Sequence, residues 1–231
     1  MKYAVVTGSS RGIGSELIKS LAKEGYSVAV CYNSSRDQAV ELAKSLAEKG
    51  IFVITVKLDL GSKESINEAF SYIHSCFPRI DLLINNGAID LIKPFEDTSY
   101  EEWKRIIDVN LTGTFFSCKQ VISEMRENGG SIINVSSIWG DLGASCESAY
   151  SASKAGIECF TRSLAKEYPE VLIYAVSLGY VDTDMNRLDE DEIAEFLAEY
   201  PFVTRKSAER VAKEILYTLP KAKSGEIIKL W

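Results

Sequence analysis

Tyr3-Ala-Val-Val-Thr-Gly-Ser-Ser-Arg-Gly-Ile-Gly14 is the stretch whose reading decides the fold. Tyr3 to Thr7 is a short apolar run ending at Gly8, the pattern of a strand buried on both faces. From Gly12 to Glu24, the residues Ile13, Leu17, Ile18, Leu21 and Ala22 recur at helical spacing, and Gly25 closes the run. Gly8, Gly12 and Gly14 lie in the turn between strand and helix, where the backbone must bend tightly and can approach a pyrophosphate at the helix amino terminus. The spacing G-x-x-x-G-x-G differs from the commoner G-x-G-x-x-G, and the lack of a following Gly-Lys-Ser/Thr excludes a P-loop.

Outward from this turn the two periods keep alternating. Strands are expected at Ser27 to Tyr32, Ile51 to Lys57, Leu82 to Asn85, Ser131 to Val135, Val171 to Ser177 and Glu226 to Leu230. Between them, helices are expected at Arg36 to Lys49, Ser62 to Phe77, Ser99 to about Leu111, Gly113 to Asn128, Ala149 to Tyr168, Asp189 to Tyr200 and Ser207 to Leu219. Ser62 is a capping residue, and Pro169 stops the long helix before it. The alternation predicts an α/β fold: a doubly wound (Rossmann) parallel sheet of about seven strands with helices on both faces, in one domain spanning 1–231. Ligands of such sheets bind beyond the carboxyl ends of the strands. Gly8 to Gly14, Asp59, Asn85-Asn86-Gly87, Ser137 and Gly179 all fall just there.

Composition narrows the function. With 231 residues, 46% hydrophobic and 26% charged, the chain is long enough for one large core. A formal charge of −7 argues against a nucleic-acid partner. No apolar run approaches a membrane span or a signal peptide. Cys31, Cys76, Cys118, Cys146 and Cys159 are scattered and form no C-x-x-C, so they read as reduced thiols of a cytoplasmic protein. His74 is the one histidine, which leaves no metal site and no serine hydrolase triad to build.

Chemistry enters with Ser136-Ser137 and Tyr150-Ser-Ala-Ser-Lys154. On a helix, Tyr150 and Lys154 project from one face. The spacing predicts an ammonium beside the phenol, which favours phenolate and lowers the tyrosine pKa toward neutrality. Ser137 adds a hydroxyl for the oxygen of a carbonyl or alcohol. At the ribose end, Cys31-Tyr32-Asn33-Ser34-Ser35-Arg36 has no carboxylate to hold a ribose 2′-hydroxyl. Arg11 and Arg36 flank that position, so NADP(H) is expected over NAD(H).

Taken together, Thr7-Gly8-x-x-x-Gly12-x-Gly14, Asp59, Asn85-Asn86-Gly87-Ala88, Asn110, Ser137 and Tyr150-x-x-x-Lys154 resemble the short-chain dehydrogenases/reductases from end to end. The wording around Gly8 and Asn134-Val-Ser-Ser-Ile-Trp-Gly140 is similar to the bacterial 3-oxoacyl-(acyl carrier protein) reductase branch, a reductase of fatty acid biosynthesis. The resemblance implies hydride transfer between a nicotinamide and a carbonyl carbon, and a homo-oligomer, tetramer or dimer. It implies that Tyr150 is the proton donor and acceptor, that Lys154 holds the nicotinamide ribose, that Ser137 steadies the substrate oxygen, and that Asn110 supports a water relay to Lys154. It assigns cofactor contacts to Gly8, Ser10, Arg11, Gly12, Ile13 and Gly14 in the first turn. Further contacts are implied at Tyr32 and Asn33, at Asp59 (to adenine) with Leu60, at Asn86 (to the adenosine ribose) with Gly87, at Gly179 and Val181, and at Thr183 (to the nicotinamide amide).

Two positions depart from the family pattern. Gly87-Ala88 reverses the usual Ala-Gly, which predicts a different backbone course, because glycine tolerates positive φ. Leu178 replaces a proline before Gly179, which predicts a less rigid loop over the nicotinamide.

The segment 180–206 is expected to cover the substrate. Its acidic run (Asp182, Asp184, Asp189, Glu190, Asp191, Glu192, Glu195, Glu199), set against Arg187, Arg205 and Lys206, reads mostly as a solvated face. An acidic carrier protein would call for a basic mouth, for which Arg126, Arg162 and Lys166 are the candidates. A free small ketone, a sugar or an acyl-CoA remains an open alternative. So, more remotely, does a nucleotide-sensing regulator, which would be expected to lose the serine, tyrosine or lysine that this chain keeps.

Overall fold

The computed structural model describes residues 1–186 and 188–231. The strands are β1 (Lys2–Val6), β2 (Tyr26–Tyr32), β3 (Val53–Lys57), β4 (Leu82–Asn85), β5 (Ser131–Ser137), β6 (Leu172–Leu178), β7 (Val181–Asp182), β8 (Lys206–Ser207) and β9 (Ile227–Leu230). The helices are α1 (Gly12–Lys23), α2 (Arg36–Ala47), α3 (Lys63–Cys76), α4 (Tyr100–Ile107), α5 (Gly113–Asn128), α6 (Trp139–Leu142), α7 (Ser148–Glu167), α8 (Glu190–Glu199) and α9 (Ala208–Thr218). Seven strands form one parallel sheet in the order β3-β2-β1-β4-β5-β6-β9.

Period-2 alternation explains the layering. Ala4 and Val6 point to one face, where Leu17, Ile18 and Leu21 of α1, Leu42 and Leu46 of α2, and Val211 and Ile215 of α9 cover the sheet. Val5 points to the other, where Ile66, Phe70 and Ile73 of α3 and Val121, Ile122 and Met125 of α5 cover it. Between β1 and β4 the strand order reverses, which opens a crevice outside their carboxyl ends.

Helix starts follow side-chain chemistry. Ser62 accepts the Ser65 N–H, and Ser99 with Glu102 and Asp189 with Glu192 form reciprocal capping boxes. Some features escaped the sequence, among them α6. A π-type segment at Asp108–Thr112 links α4 to α5, at the junction of the two successive helical stretches that were expected. The short pair β7–β8 joins Val181 to Lys206 and ties the two ends of the covering segment together. Strand β5 also runs past Val135 to Ser137, since Ser136 and Ser137 pair with Ser177 and Leu178 of β6.

Candidate active site

The glycine turn is a cradle with no room for side chains. Gly8 and Gly12 have φ of +60° and +56°, the left-handed region that favours glycine. A Cβ on Gly14 would lie 2.4 Å from the Gly8 carbonyl oxygen, and one on Gly8 would lie 2.6 Å from the Gly87 Cα. Ser9 locks the turn by donating its hydroxyl to Val6 O (2.7 Å) and accepting the Cys31 N–H (2.9 Å). No acid occupies the first turn of α1, so the positive end of that helix is left for an anion. A pyrophosphate fits this donor set.

Asn86 braces the same turn, donating its side-chain nitrogen to Thr7 O (3.0 Å) and Gly8 O (3.1 Å). The reversed Gly87-Ala88 pair has a steric reason. Neither residue has positive φ, contrary to the expectation of a changed backbone course. Instead, a Cβ on Gly87 would meet Leu60 Cδ1 at 2.8 Å and Gly8 N at 3.2 Å. Leu178 stays inside β6, buried, with its carbonyl accepting the Ile138 N–H at 2.8 Å. Next to it, Gly179 packs so closely on Val203 and Trp231 that an added Cβ would lie 2.8 Å from Val203 Cγ1. Val181 is buried in the β7–β8 pair.

Ser137, Tyr150 and Lys154 converge at the carboxyl end of β5. Ser137 ends the strand, and its hydroxyl accepts the Trp139 N–H at 3.2 Å and bonds the Tyr150 phenol. Lys154, only 3% exposed, donates its Nζ to Val135 O at 2.9 Å and sits 5.4 Å from the Tyr150 ring centre. Asn110, in the π-type segment, is fully buried. Its carboxamide accepts Ile89 N–H and donates to Ile89 O, both at 2.9 Å, and also donates to Ser153 Oγ at 3.1 Å. Ser153 in turn donates to Tyr150 O at 2.7 Å. Beneath them a buried polar chain, Asn85 to Asn134 to Thr161, ties β4, β5 and α7 together.

The spacing predicts a lowered tyrosine pKa, and the structure reverses the direction. Burial raises the Tyr150 phenol, the charges of Asp90 and Glu147 raise it further, and the Ser137 hydrogen bond only partly opposes them. Lys154 stays a cation at neutral pH, although burial pulls its own pKa down to about 8, and it is not among the groups that lower the phenol. Tyr150 is therefore a protonated phenol at neutral pH, a proton donor rather than a phenolate.

Asp90 and Glu147 were missed by the sequence reading. Asp90 follows the Asn85-Asn86-Gly87 strand end and Glu147 sits at the start of α7 just ahead of Tyr150, but neither belongs to a motif. Glu147 is hydrogen-bonded to Asp90, and burial together with that neighbouring charge raises its pKa to about 8.

At the adenosine end, Tyr32 and Asn33 leave β2, and Lys57 at the end of β3 donates to Asn33 O and to its Oδ1 (2.7 Å). Lys57 is a third missed residue, since the β2–β3 pairing brings it there. Ser10 and Ile13 belong to the glycine turn and the start of α1, and Leu60 is buried against Gly87. Asp59 accepts the Gly61 N–H at 2.9 Å and lies 3.5 Å from Arg105. Arg36 is exposed at the start of α2, while Arg11 lies 3.6 Å from Asp184. Thr183 stands over Gly12, where an added Cβ would reach its Cγ2 at 3.8 Å.

Aromatic rings hold α8 over the β5 end: Trp139 meets Phe196 and Tyr200 edge-on at 5.7 and 5.4 Å. Outside this cluster, Arg205 bonds Asp182 and Glu190 on the exposed side. Lys206 is not part of a charged rim, because it is buried on Glu214 and Leu230 O. Arg187 lies outside the described residues. Two of the three candidates for a basic mouth lie away from the site. Lys166 is in the last turn of α7, roughly 24 Å along the helix from Tyr150 at ~1.5 Å per residue. Arg126 ends α5, which leads back to the amino end of β5. Among the described residues no helix is long and apolar enough to cross a membrane.

Comparison with known proteins agrees with this geometry. The short chain dehydrogenase family model matches residues 2–194. The 3-oxoacyl-(acyl-carrier-protein) reductase FabG of Aquifex aeolicus is 37% identical over 98% of this chain and 94% of its own length. The 3beta-hydroxysteroid dehydrogenase 1 of Eggerthella lenta is 34% identical over 80% of this chain and 72% of its own. A solved structure, a blue fluorescent protein from a metagenomic library in complex with NADPH, superposes with TM-score 0.93 and 26% identity, covering 99% of this chain and 96% of that one. The chain belongs to the short-chain dehydrogenase/reductase family of oxidoreductases.

Proposed function

We propose that this oxidoreductase is NADP(H)-dependent and interconverts a carbonyl and a secondary alcohol, in the manner of a 3-oxoacyl-(acyl carrier protein) reductase. The observation that carries it is the convergence of the Ser137 hydroxyl, the protonated Tyr150 phenol and the Lys154 ammonium at the carboxyl end of β5, next to the glycine cradle. Gly8, Gly12 and Gly14 would hold the pyrophosphate, and Lys154 the nicotinamide ribose. When bound, the nicotinamide supplies a hydride to the carbonyl carbon. Tyr150 donates its hydroxyl proton to the carbonyl oxygen, Ser137 orients that oxygen, and Lys154 keeps a cation beneath the pair.

Support for NADP(H) over NAD(H) comes from charge. The end of β2 has no carboxylate, and Lys57 reaches Asn33 there, bonding its neutral carbonyl and carboxamide oxygens. Arg36 stands exposed nearby, and a 2′-phosphate suits such donors. The NADPH in the superposed metagenomic protein points the same way.

The carrier-protein substrate draws support from the Aquifex aeolicus relative. A second reading, a free small carbonyl compound, is favoured by the positions of Arg126 and Lys166 at the far end of the sheet and by the carboxyls of Asp90 and Glu147 at the cleft. A cytoplasmic homo-oligomer completes the proposal. The deciding assay is NADPH and NADH oxidation with acetoacetyl-carrier protein against a panel of free ketones. Faster turnover with NADPH and a carbonyl substrate supports the reading, and a clear NADH preference ends the NADP(H) assignment. No oxidation with any carbonyl ends the activity.

A further inference from the structure

Two loops meet over Tyr150. Residues 88–93 leave β4, and residues 143–147 lead into α7. They are fastened at two places. Asn110 grips both backbone polar groups of Ile89, and the Lys93 N–H donates to Cys146 O at 2.7 Å. Cys146 pays for this fit with a φ of +62°, unusual for a residue other than glycine. Between the two fasteners, Asp90 and Glu147 are brought into hydrogen-bond contact, and both remain part-exposed. Asp90 turns one oxygen to the Leu91 N–H at 2.6 Å. Among the described residues, Tyr150 of α7 feels the charges of both, and Lys154 feels that of Asp90.

Building on the carbonyl-reductase reading above, we propose that Asp90 and Glu147 are specificity-determining residues of this cleft. They favour a carbonyl substrate that carries a hydrogen-bond-donating group, an ammonium or a hydroxyl, beside the reacting carbon, and disfavour one that carries a carboxylate there. The pair holds one proton between two carboxyl groups at neutral pH, so it keeps a net negative charge and open acceptor lone pairs. An ammonium gains both attraction and hydrogen bonds, whereas a hydroxyl gains the bonds alone. A substrate carboxylate meets a like charge, and Lys154, the cation that feels Asp90, is already bonded to Val135 O. This extends the site from proton transfer to recognition of what surrounds the carbonyl.

The test is a set of ketones of equal length ending in methyl, hydroxyl, ammonium or carboxylate, reduced by the purified protein with NADPH at pH 7. The expected order of kcat/KM is ammonium, hydroxyl, methyl, carboxylate, with at least tenfold between the first and the last. Asp90→Asn and Glu147→Gln should each shrink the ammonium-to-carboxylate ratio, and the double variant should bring it near one. Raised salt should shrink the ratio in the unaltered protein, a check that needs no variant to fold. Equal rates for all four ketones, or a preference for the carboxylate, would overturn the inference and leave the reductase standing. Turnover of none of them, nor of any carrier-bound ketone, would remove the reductase reading and this inference with it.

Discussion

Asn110 holds Ile89 by both backbone polar groups, with its carboxamide accepting the N–H and donating to the carbonyl at 2.9 Å each. The pairing mimics a strand rung, made by a side chain. It fixes the loop that carries Asp90 against the helix that carries Tyr150, with Ser153 as the link. Asn110→Ala would leave a part-buried N–H and C=O unpaired, at a cost of about 1–3 kcal/mol. We expect a lower Tm together with a kcat reduced roughly tenfold or more as the loop shifts. Urea unfolding and steady-state kinetics on the same preparation check both; an unchanged kcat would mean that the clamp is structural only.

Removing the phenolic hydroxyl separates chemistry from binding. Tyr150→Phe should lower kcat by about 10²–10⁴-fold, the usual weight of a general acid. The cradle of Gly8, Gly12 and Gly14 is untouched by the change, so NADPH affinity measured by fluorescence titration should stay close to its original value. A variant that keeps most of its kcat would remove Tyr150 from proton transfer.

The glycine turn makes a sharper steric prediction. In Gly14→Ala the new methyl would sit 2.4 Å from the Gly8 carbonyl oxygen, a backbone atom with no freedom to rotate aside. Destabilisation of about 1–3 kcal/mol is expected from the forced backbone shift. Dinucleotide affinity should fall with it. Gly25→Ala is the control, since a methyl there meets nothing within 4 Å and only the left-handed φ is penalised.

Glu147 gives a pH signature whose sign follows from its raised pKa. Below its ordinary value of 4.5 the carboxyl is protonated in both folded and unfolded chains and contributes no difference. Between 4.5 and about 8 the folded protein retains a proton that the unfolded chain has lost, so stability falls as pH rises, and the full penalty applies above about 8. Glu147→Gln should therefore gain on the original protein as pH rises from 5 to 9. For a part-exposed pair the gain is on the order of 1–2 kcal/mol after solvent screening. Denaturant midpoints at the two pH values measure it, and parallel curves would show that burial and Asp90 do not hold that proton in place.

Lys57 tests the cofactor reading from a residue that no motif marks. Lys57→Ala should raise the NADPH Kd by roughly 10–100-fold, the weight of one charge-assisted hydrogen bond, and change NADH binding little. Equal effects on both cofactors would place the ammonium away from the 2′-phosphate.

Much of this protein could be read from its residues in order. Period-2 and period-3.6 patterns are local, so the strands and helices of a doubly wound sheet were legible. So were the glycine turn and the Tyr150–Lys154 face, whose parts lie within one turn of chain or helix. Tertiary structure decided the rest, because it depends on which strand ends become neighbours. The β2–β3 pairing carries Lys57 to Asn33, and the Asn110 clamp carries Asp90 to Glu147. The direction of the Tyr150 shift belongs to this second kind. Spacing reveals that a cation is close, but burial and the carboxyls of Asp90 and Glu147 set the balance, and desolvation is a property of the folded interior alone.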